Sequence, residues 1–179
     1  PAGSYDETIA ADICDYIGRG DGDLAICLTV LEHVSDSARA LRGIASLLRP
    51  GGIALVFAPC RNALFARVNR LIPRWLAGAL LSEAYYARGG RSGFPAVYDR
   101  CTPGYFSVMA RLVGLKIYET RTYYYSPYYA AFLPLYATWR LYSLGLRMII
   151  GEEAAESFAM VLSREALTIP AVRDATLYL

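Results

Sequence analysis

The stretch from Asp23 to Ala58 constrains the fold of this chain more than any other. Asp23 to Leu28 (DLAICL) and Ile53 to Ala58 (IALVFA) are continuous apolar runs of strand length. Between them Ala38, Leu41, Ile44, Ala45 and Leu48 recur at three- and four-residue steps, the period of an amphipathic helix. Ser35 or Asp36 supplies its N-cap and Pro50-Gly51-Gly52 ends it. Runs that do not alternate in polarity predict strands buried on both faces, as in parallel sheets. A strand, a helix and a second strand in that order make a right-handed crossover, so the expected class is α/β with a parallel sheet.

Around this unit the chain offers further elements. Thr8 to Asp12 is a short apolar run ending in an acid and reads as another buried strand. Gly18-Arg19-Gly20-Asp21-Gly22 has the spacing of a nucleotide loop, but such a loop must lead into a helix whose amides face the ligand. This one leads into a strand, so it is read as a plain turn. The pattern is helical from Ala63 to Arg88, broken at Pro73, with Arg67, Arg70 and Arg74 on one stripe. Thr102-Pro103 starts a helix that Gly114 closes, and Leu115 to Tyr125 alternates as a strand does. Ala130 to Ile150 is very apolar, but Pro134, Arg140 and Arg147 interrupt it. A bilayer span needs about 20 residues with few or no charges, so an amphipathic helix with Arg140, Ser143 and Arg147 on its polar face is expected. Ser157 to Ser163 is a last strand.

Composition narrows the class. With 179 residues, 55% of them hydrophobic, the chain can bury one sizeable core and is read as a single domain over 1–179. A net charge of +2 from 18 basic and 16 acidic residues gives no reason to expect a nucleic-acid partner. Cys14, Cys27, Cys60 and Cys101 are too scattered for a zinc site or a disulfide framework, which fits a reducing cytoplasm. The first residues carry no signal peptide, and the missing initiator Met suggests a fragment.

The run from Asp23 through Glu32-His33-Val34, followed by a helix and Leu48-Arg49-Pro50-Gly51-Gly52, resembles the fourth strand, fourth helix and fifth strand of class I S-adenosylmethionine (SAM)-dependent methyltransferases. The resemblance is clear from about Thr8 to Ala58. It implies a Rossmann-like parallel sheet with an antiparallel last strand and a helical lid inserted over about 63–98 and 127–150. It also implies SAM as cofactor, with Asp12 and the backbone of Ile13 on the adenine side, and Leu28 and Thr29 near the methionine half. The family's first strand with its glycine-rich loop, and its second strand with the ribose-binding acid, have no counterpart here. In the family those two strands separate the third from the fourth. The sheet is therefore expected to be incomplete on its N-terminal side and to leave parallel edges unpaired, which a preceding segment or a second chain would complete.

Methyl transfer from a sulfonium is an in-line displacement; for a hydroxyl acceptor one well-placed base suffices. His33, the one histidine of the chain, follows the fourth-strand match at the rim where open α/β sheets bind ligands, and is the candidate base with Glu32 beside it. The same two residues could equally hold the turn through backbone hydrogen bonds. In quinone-biosynthesis O-methyltransferases, which this segment is similar to, the corresponding stretch is E-x-x-E-H and is associated with a divalent metal. Here Thr29 stands in place of the first acid, so no metal is expected. Phe94 to Pro103 resembles a segment folding over the acceptor, with Tyr98 and Arg100 as polar contacts; Asp99 and Thr102 could instead simply cap a helix. Tyr123, Tyr124, Tyr125, Tyr128 and Tyr129 read mainly as packing. The arginine-striped apolar helices suggest a lipid-like acceptor or an anionic membrane surface, or else burial in a homodimer. The leading expectation is a SAM-dependent O-methyltransferase. Its rivals are a non-catalytic scaffold of the same fold and a protein that binds membrane surfaces.

Overall fold

The computed structural model describes residues 6–71, 96–125 and 133–165. Along the chain run β1 (Gly22–Leu28), α1 (Ser37–Leu47), β2 (Leu48–Pro59), α2 (Leu64–Leu71), α3 (Pro103–Leu112), β3 (Leu115–Tyr123), α4 (Leu133–Ile150), a 3-10 turn (Gly151–Ala154) and β4 (Ser157–Arg164). They form a four-stranded sheet in the order β1-β2-β4-β3. β1 and β2 are parallel, whereas β4 runs antiparallel to both of its neighbours, as the resemblance implies.

The crossover unit forms for the reasons legible in its residues. Asp36 caps α1 by accepting from the Arg39 N–H at 2.9 Å, and Ala40, Leu41, Ile44 and Ala45 turn into the core. α1 and α3 lie over one face of the sheet. There Ala54, Val56 and Ala58 of β2 stand opposite Leu162, Met160 and Phe158 of β4, and all six are buried. Phe106 of α3 meets Phe158 edge-on, with centroids 5.2 Å apart. Truncating a ring like Phe158 in such a core costs about 3–5 kcal/mol, because the cavity cannot close.

Four expectations are corrected. Residues 8–12 make no strand and are exposed, since no described strand lies beside them to pair with. β1 forms, at the edge of the described sheet as the absent neighbouring strands imply, but it is not buried on both faces, since Leu24, Ile26 and Leu28 project exposed from the face opposite α1. β2 starts earlier than expected, at Leu48, because Arg49 to Gly52 loop out of the ladder between the Leu48 and Ile53 pairs, with Gly51 at a φ of 82°. In α4, Ser143 is buried, Arg140 is half-buried and Arg147 lies over the Tyr124 ring. The polar stripe thus faces the protein, and the apolar stripe faces away. Arg74 and most of the helical pattern after Leu71, together with Phe94, Pro95, Tyr128 and Tyr129, lie outside the described residues.

The Gly18–Gly22 turn enters β1 directly. The Gly18 N–H donates to Ser46 Oγ at 2.8 Å in the last turn of α1, at the end of the sheet away from Thr29.

Candidate functional site at the C-terminal rim of β1 and β2

The parallel strands β1 and β2 end together, Leu28 beside Phe57, and the next residue, Thr29, donates its N–H to Phe57 O at 2.9 Å. Thr29 has a φ of 52°, in the left-handed region that a β-branched residue resists. Among the described residues just two other non-glycines share that region, Tyr98 at 53° and Arg100 at 46°. Distant in sequence, all three meet around one loop. The Val97 and Tyr98 N–H groups both donate to Glu32 O, at 2.7 and 2.9 Å. The Ser37 N–H donates to Asp99 Oδ2 at 3.0 Å, Ser37 Oγ–H donates to Asp99 O, and Cys101 Sγ–H donates to Leu31 O at 3.4 Å. Residues 97–101 therefore form a strap stapled across the loop that joins β1 to α1.

Glu32 and His33 sit under and beside this strap. Glu32 is 5% exposed, and its Oε2 meets no donor among the described residues. Burial is the main reason its carboxyl titrates above the ordinary carboxylate range. His33 is partly open, with Nε2 lying 3.7 Å from Glu32 Oε1, while its backbone N–H donates to Val30 O. The thiols here are inert: burial, with the nearby Glu32 carboxylate adding to it, pushes Cys27 up to about 11 and Cys101 up to about 12.

Asp12 and Ile13 reach the same rim by another route. Asp12 Oδ1 accepts from the Cys14 N–H at 2.9 Å, Cys14 Sγ–H donates to Asp36 O, and Asp15 pairs with Arg39. These links tie residues 12–15 to the N-terminus of α1, where the loop from Leu28 also arrives. Ile13 O presses on Gly43, where a Cβ would lie 2.2 Å away, so no other residue fits at that point of α1. The Asp12 carboxylate remains exposed.

Of the acceptor-side candidates, Tyr98 is buried and Arg100 is exposed. The Arg100 guanidinium donates to Tyr105 Oη at 3.1 Å and lies 5.3 Å from the Tyr105 ring centroid.

A residue that sequence reasoning missed closes the rim on the β4 side. Glu156 is 7% exposed; its carboxylate accepts from Trp139 Nε1–H at 2.7 Å and from the Leu64 N–H, its carbonyl accepts from the Cys60 N–H, and its own N–H donates to Tyr123 O. One residue thus joins α2, α4 and the ends of β2 and β3. The available signal was an acid directly preceding an apolar strand, which by itself is unremarkable in a sequence. Glu153 adds a second tie: its Oε1 accepts from the Gly104 N–H at the start of α3, and its carbonyl accepts from Asn62. Among the described residues no group of three His, Cys, Asp or Glu side chains is arranged to hold a metal ion.

Fold and rim define a Rossmann-like α/β domain that presents its ligand edge at the ends of parallel strands. The family model for a methyltransferase domain matches residues 4–56. The chain is 29% identical over 121 residues to the ubiquinone biosynthesis O-methyltransferase of Cupriavidus pinatubonensis, covering 68% of this chain and 45% of that protein. Against the Xanthomonas euvesicatoria protein of the same name it is 29% identical over 109 residues, 61% of this chain and 41% of that one. The chain thus spans under half the length of these curated relatives. A putative S-adenosylmethionine-dependent methyltransferase from Listeria monocytogenes shares the fold, with a TM-score of 0.50 at 8% identity over 87% of this chain and 68% of that one. Residues 4–56 are thus similar to a methyltransferase domain, and the sheet has the fold of such proteins.

Proposed function

We propose that the whole protein transfers the methyl group of SAM to an oxygen of a small, lipid-like acceptor at the rim formed by Thr29, Glu32, His33 and the 97–101 strap. The observation that carries this reading is the gathering of three strained residues, Thr29, Tyr98 and Arg100, around a single loop. Backbone strain of this kind costs about 1–3 kcal/mol per residue and persists where a site requires the geometry.

The residues present fit one side of the cofactor. Asp12 offers an exposed carboxylate to an adenine amino group, the Ile13 backbone lies beside it, and Leu28 and Thr29 end the strand that would meet the methionine half. SAM, when bound, supplies an electrophilic methyl group on a sulfonium. With donor and acceptor bound, His33 would accept the proton of the acceptor hydroxyl as that oxygen takes up the methyl group. Glu32, buried and 3.7 Å from His33 Nε2, orients the imidazole and balances the charge it gains. Arg100, exposed and braced by Tyr105, is the polar contact for the acceptor at the strap, and buried Tyr98 holds that strap down.

The lipid-like acceptor is supported by the name of the relatives, whose ubiquinone-pathway acceptors carry that chemistry, and by apolar side chains exposed on α2 and α4. The test is a His33→Asn variant of the full-length protein, assayed with a phenolic prenylated acceptor. Turnover is expected to fall by about 10²-fold or more, while S-adenosylhomocysteine binding by calorimetry stays at the wild-type value. Wild-type turnover in the variant would remove His33 as the base, and failure of the wild-type protein to bind S-adenosylhomocysteine would end the methyltransferase reading.

A further inference from the structure

α4 is turned inside out for a helix on the surface of a protein in water. Leu133, Ala137, Leu141, Leu144 and Met148 follow each other at steps of four and three, so they share one face of the helix. That face points away from the sheet: Leu133 is 76% exposed, Leu141 72% and Met148 90%, with Ile149 beside them at 80%. The opposite face holds buried Trp139 and Ser143, and it holds Arg140, whose Nη1–H donates to Tyr124 O at 3.1 Å. Arg140 and Ser143 are turned toward the protein, and the apolar stripe of the helix is presented outward.

α2 repeats the arrangement. Phe65, Val68 and Leu71 recur at steps of three and are all exposed. The two helices meet at one point, because the Leu64 N–H that starts α2 and the Trp139 indole of α4 donate to the same Glu156 carboxylate.

Charge selects the occupant. Neither helix contains an acidic residue, and between them they carry Arg67, Arg70, Arg140 and Arg147, of which Arg70 and Arg147 are exposed. A second copy of the chain laid on this surface would bring arginines against arginines, whereas an anionic headgroup layer has the opposite sign. No described helix is long and apolar enough to cross a membrane. We therefore propose that the outer faces of α4 and α2 dock the protein in the plane of an anionic bilayer, with the apolar stripe in the acyl boundary and the exposed Arg70 and Arg147 at headgroup level. This deepens the lipid-like acceptor reading, since it brings the rim at Glu156 next to the phase in which such an acceptor dissolves.

The test is co-sedimentation of the full-length protein with vesicles of phosphatidylcholine containing phosphatidylglycerol, and with vesicles of phosphatidylcholine alone. Binding to the anionic vesicles, weakened by added salt, is expected. A Leu141→Gln/Met148→Gln double variant is expected to lower the bound fraction roughly tenfold, because two exposed apolar side chains of the α4 stripe no longer enter the acyl boundary. Circular dichroism and S-adenosylhomocysteine binding are expected to stay as in wild type, which separates failure of docking from failure of the methyltransferase reading. Equal sedimentation of variant and wild type overturns the proposal. So does an absence of vesicle binding together with a concentration-dependent dimer that the double variant abolishes, the result for a second copy as occupant.

Discussion

Trp139 and Glu156 stand 17 residues apart and share a 2.7 Å hydrogen bond, indole N–H to carboxylate, with both side chains buried at the corner where α4 meets the sheet. A buried carboxylate stays tolerable only while donors satisfy it, and here the donors are the Trp139 indole and the Leu64 amide. Trp139→Phe keeps most of the ring volume and removes one donor. It is expected to cost about 1–3 kcal/mol in urea unfolding, the penalty of an acceptor left unsatisfied. Glu156→Gln keeps an acceptor oxygen and is expected to cost less than Trp139→Phe. The reverse order would mean that the carboxylate does not hold the corner together.

Thr29 gives a prediction of the opposite sign. Its φ of 52° suits glycine, and relieving a β-branched residue there outweighs the extra freedom that glycine has in the unfolded chain. Thr29→Gly is expected to leave stability unchanged or raise it by up to about 1 kcal/mol, while kcat/KM falls because the rim loses its fixed shape. Destabilisation by more than about 1 kcal/mol in thermal or urea unfolding would show that the hydroxyl matters more than the strain.

Glu32 and Glu156 both titrate above the ordinary carboxylate range, burial being the first cause for each. Between the unfolded value and the raised folded value the native state binds more protons than the unfolded state, so stability must fall as pH rises through that window. The loss amounts to about 1.4 kcal/mol for each pKa unit separating the two states. Urea midpoints measured upward from pH 4 are expected to decline and then level off, and Glu32→Gln should flatten its share of the slope. A Glu32→Gln profile parallel to wild type would assign the whole slope to Glu156 or to other groups.

Period and punctuation were enough to read the crossover unit and the Thr102 cap, while the antiparallel last strand and the choice of Thr29, Tyr98 and Arg100 as site candidates came from the family resemblance. Runs such as 23–28 and 53–58 have few alternatives to buried or edge strands, and the Pro-Gly-Gly stop admits little but a turn. What could not be read depended on neighbours. Thr8 to Asp12 has a strand's composition, but a strand exists only when another lies beside it, and here none of the described strands does. The side of α4 that faces the protein was misread because helical periodicity defines two faces without saying which is inward; the Tyr124 carbonyl and ring, far off in sequence, decide it by taking both arginines. Glu156 was invisible for the same reason, since each of its partners comes from a different element.

The face of the sheet opposite α1 sets the last prediction. Leu24, Ile26 and Leu28 of β1 and Ile53 and Leu55 of β2 all project from it and are 36% to 61% exposed, and no described strand pairs with the outer edge of β1. Parallel strands are found covered on both faces, and an unpaired apolar edge invites aggregation. Polypeptide beyond the described residues is therefore expected to cover this face and edge in the functional protein. If it does, Ile26→Ser in the full-length protein removes a buried aliphatic group and costs about 2–4 kcal/mol. On a face left open to water the same substitution would change stability by about 0.5 kcal/mol or less. Hydrogen exchange gives an independent reading, since the outward amides of β1 must be protected in the whole protein if a strand lies alongside them, and must exchange freely if the edge stays bare.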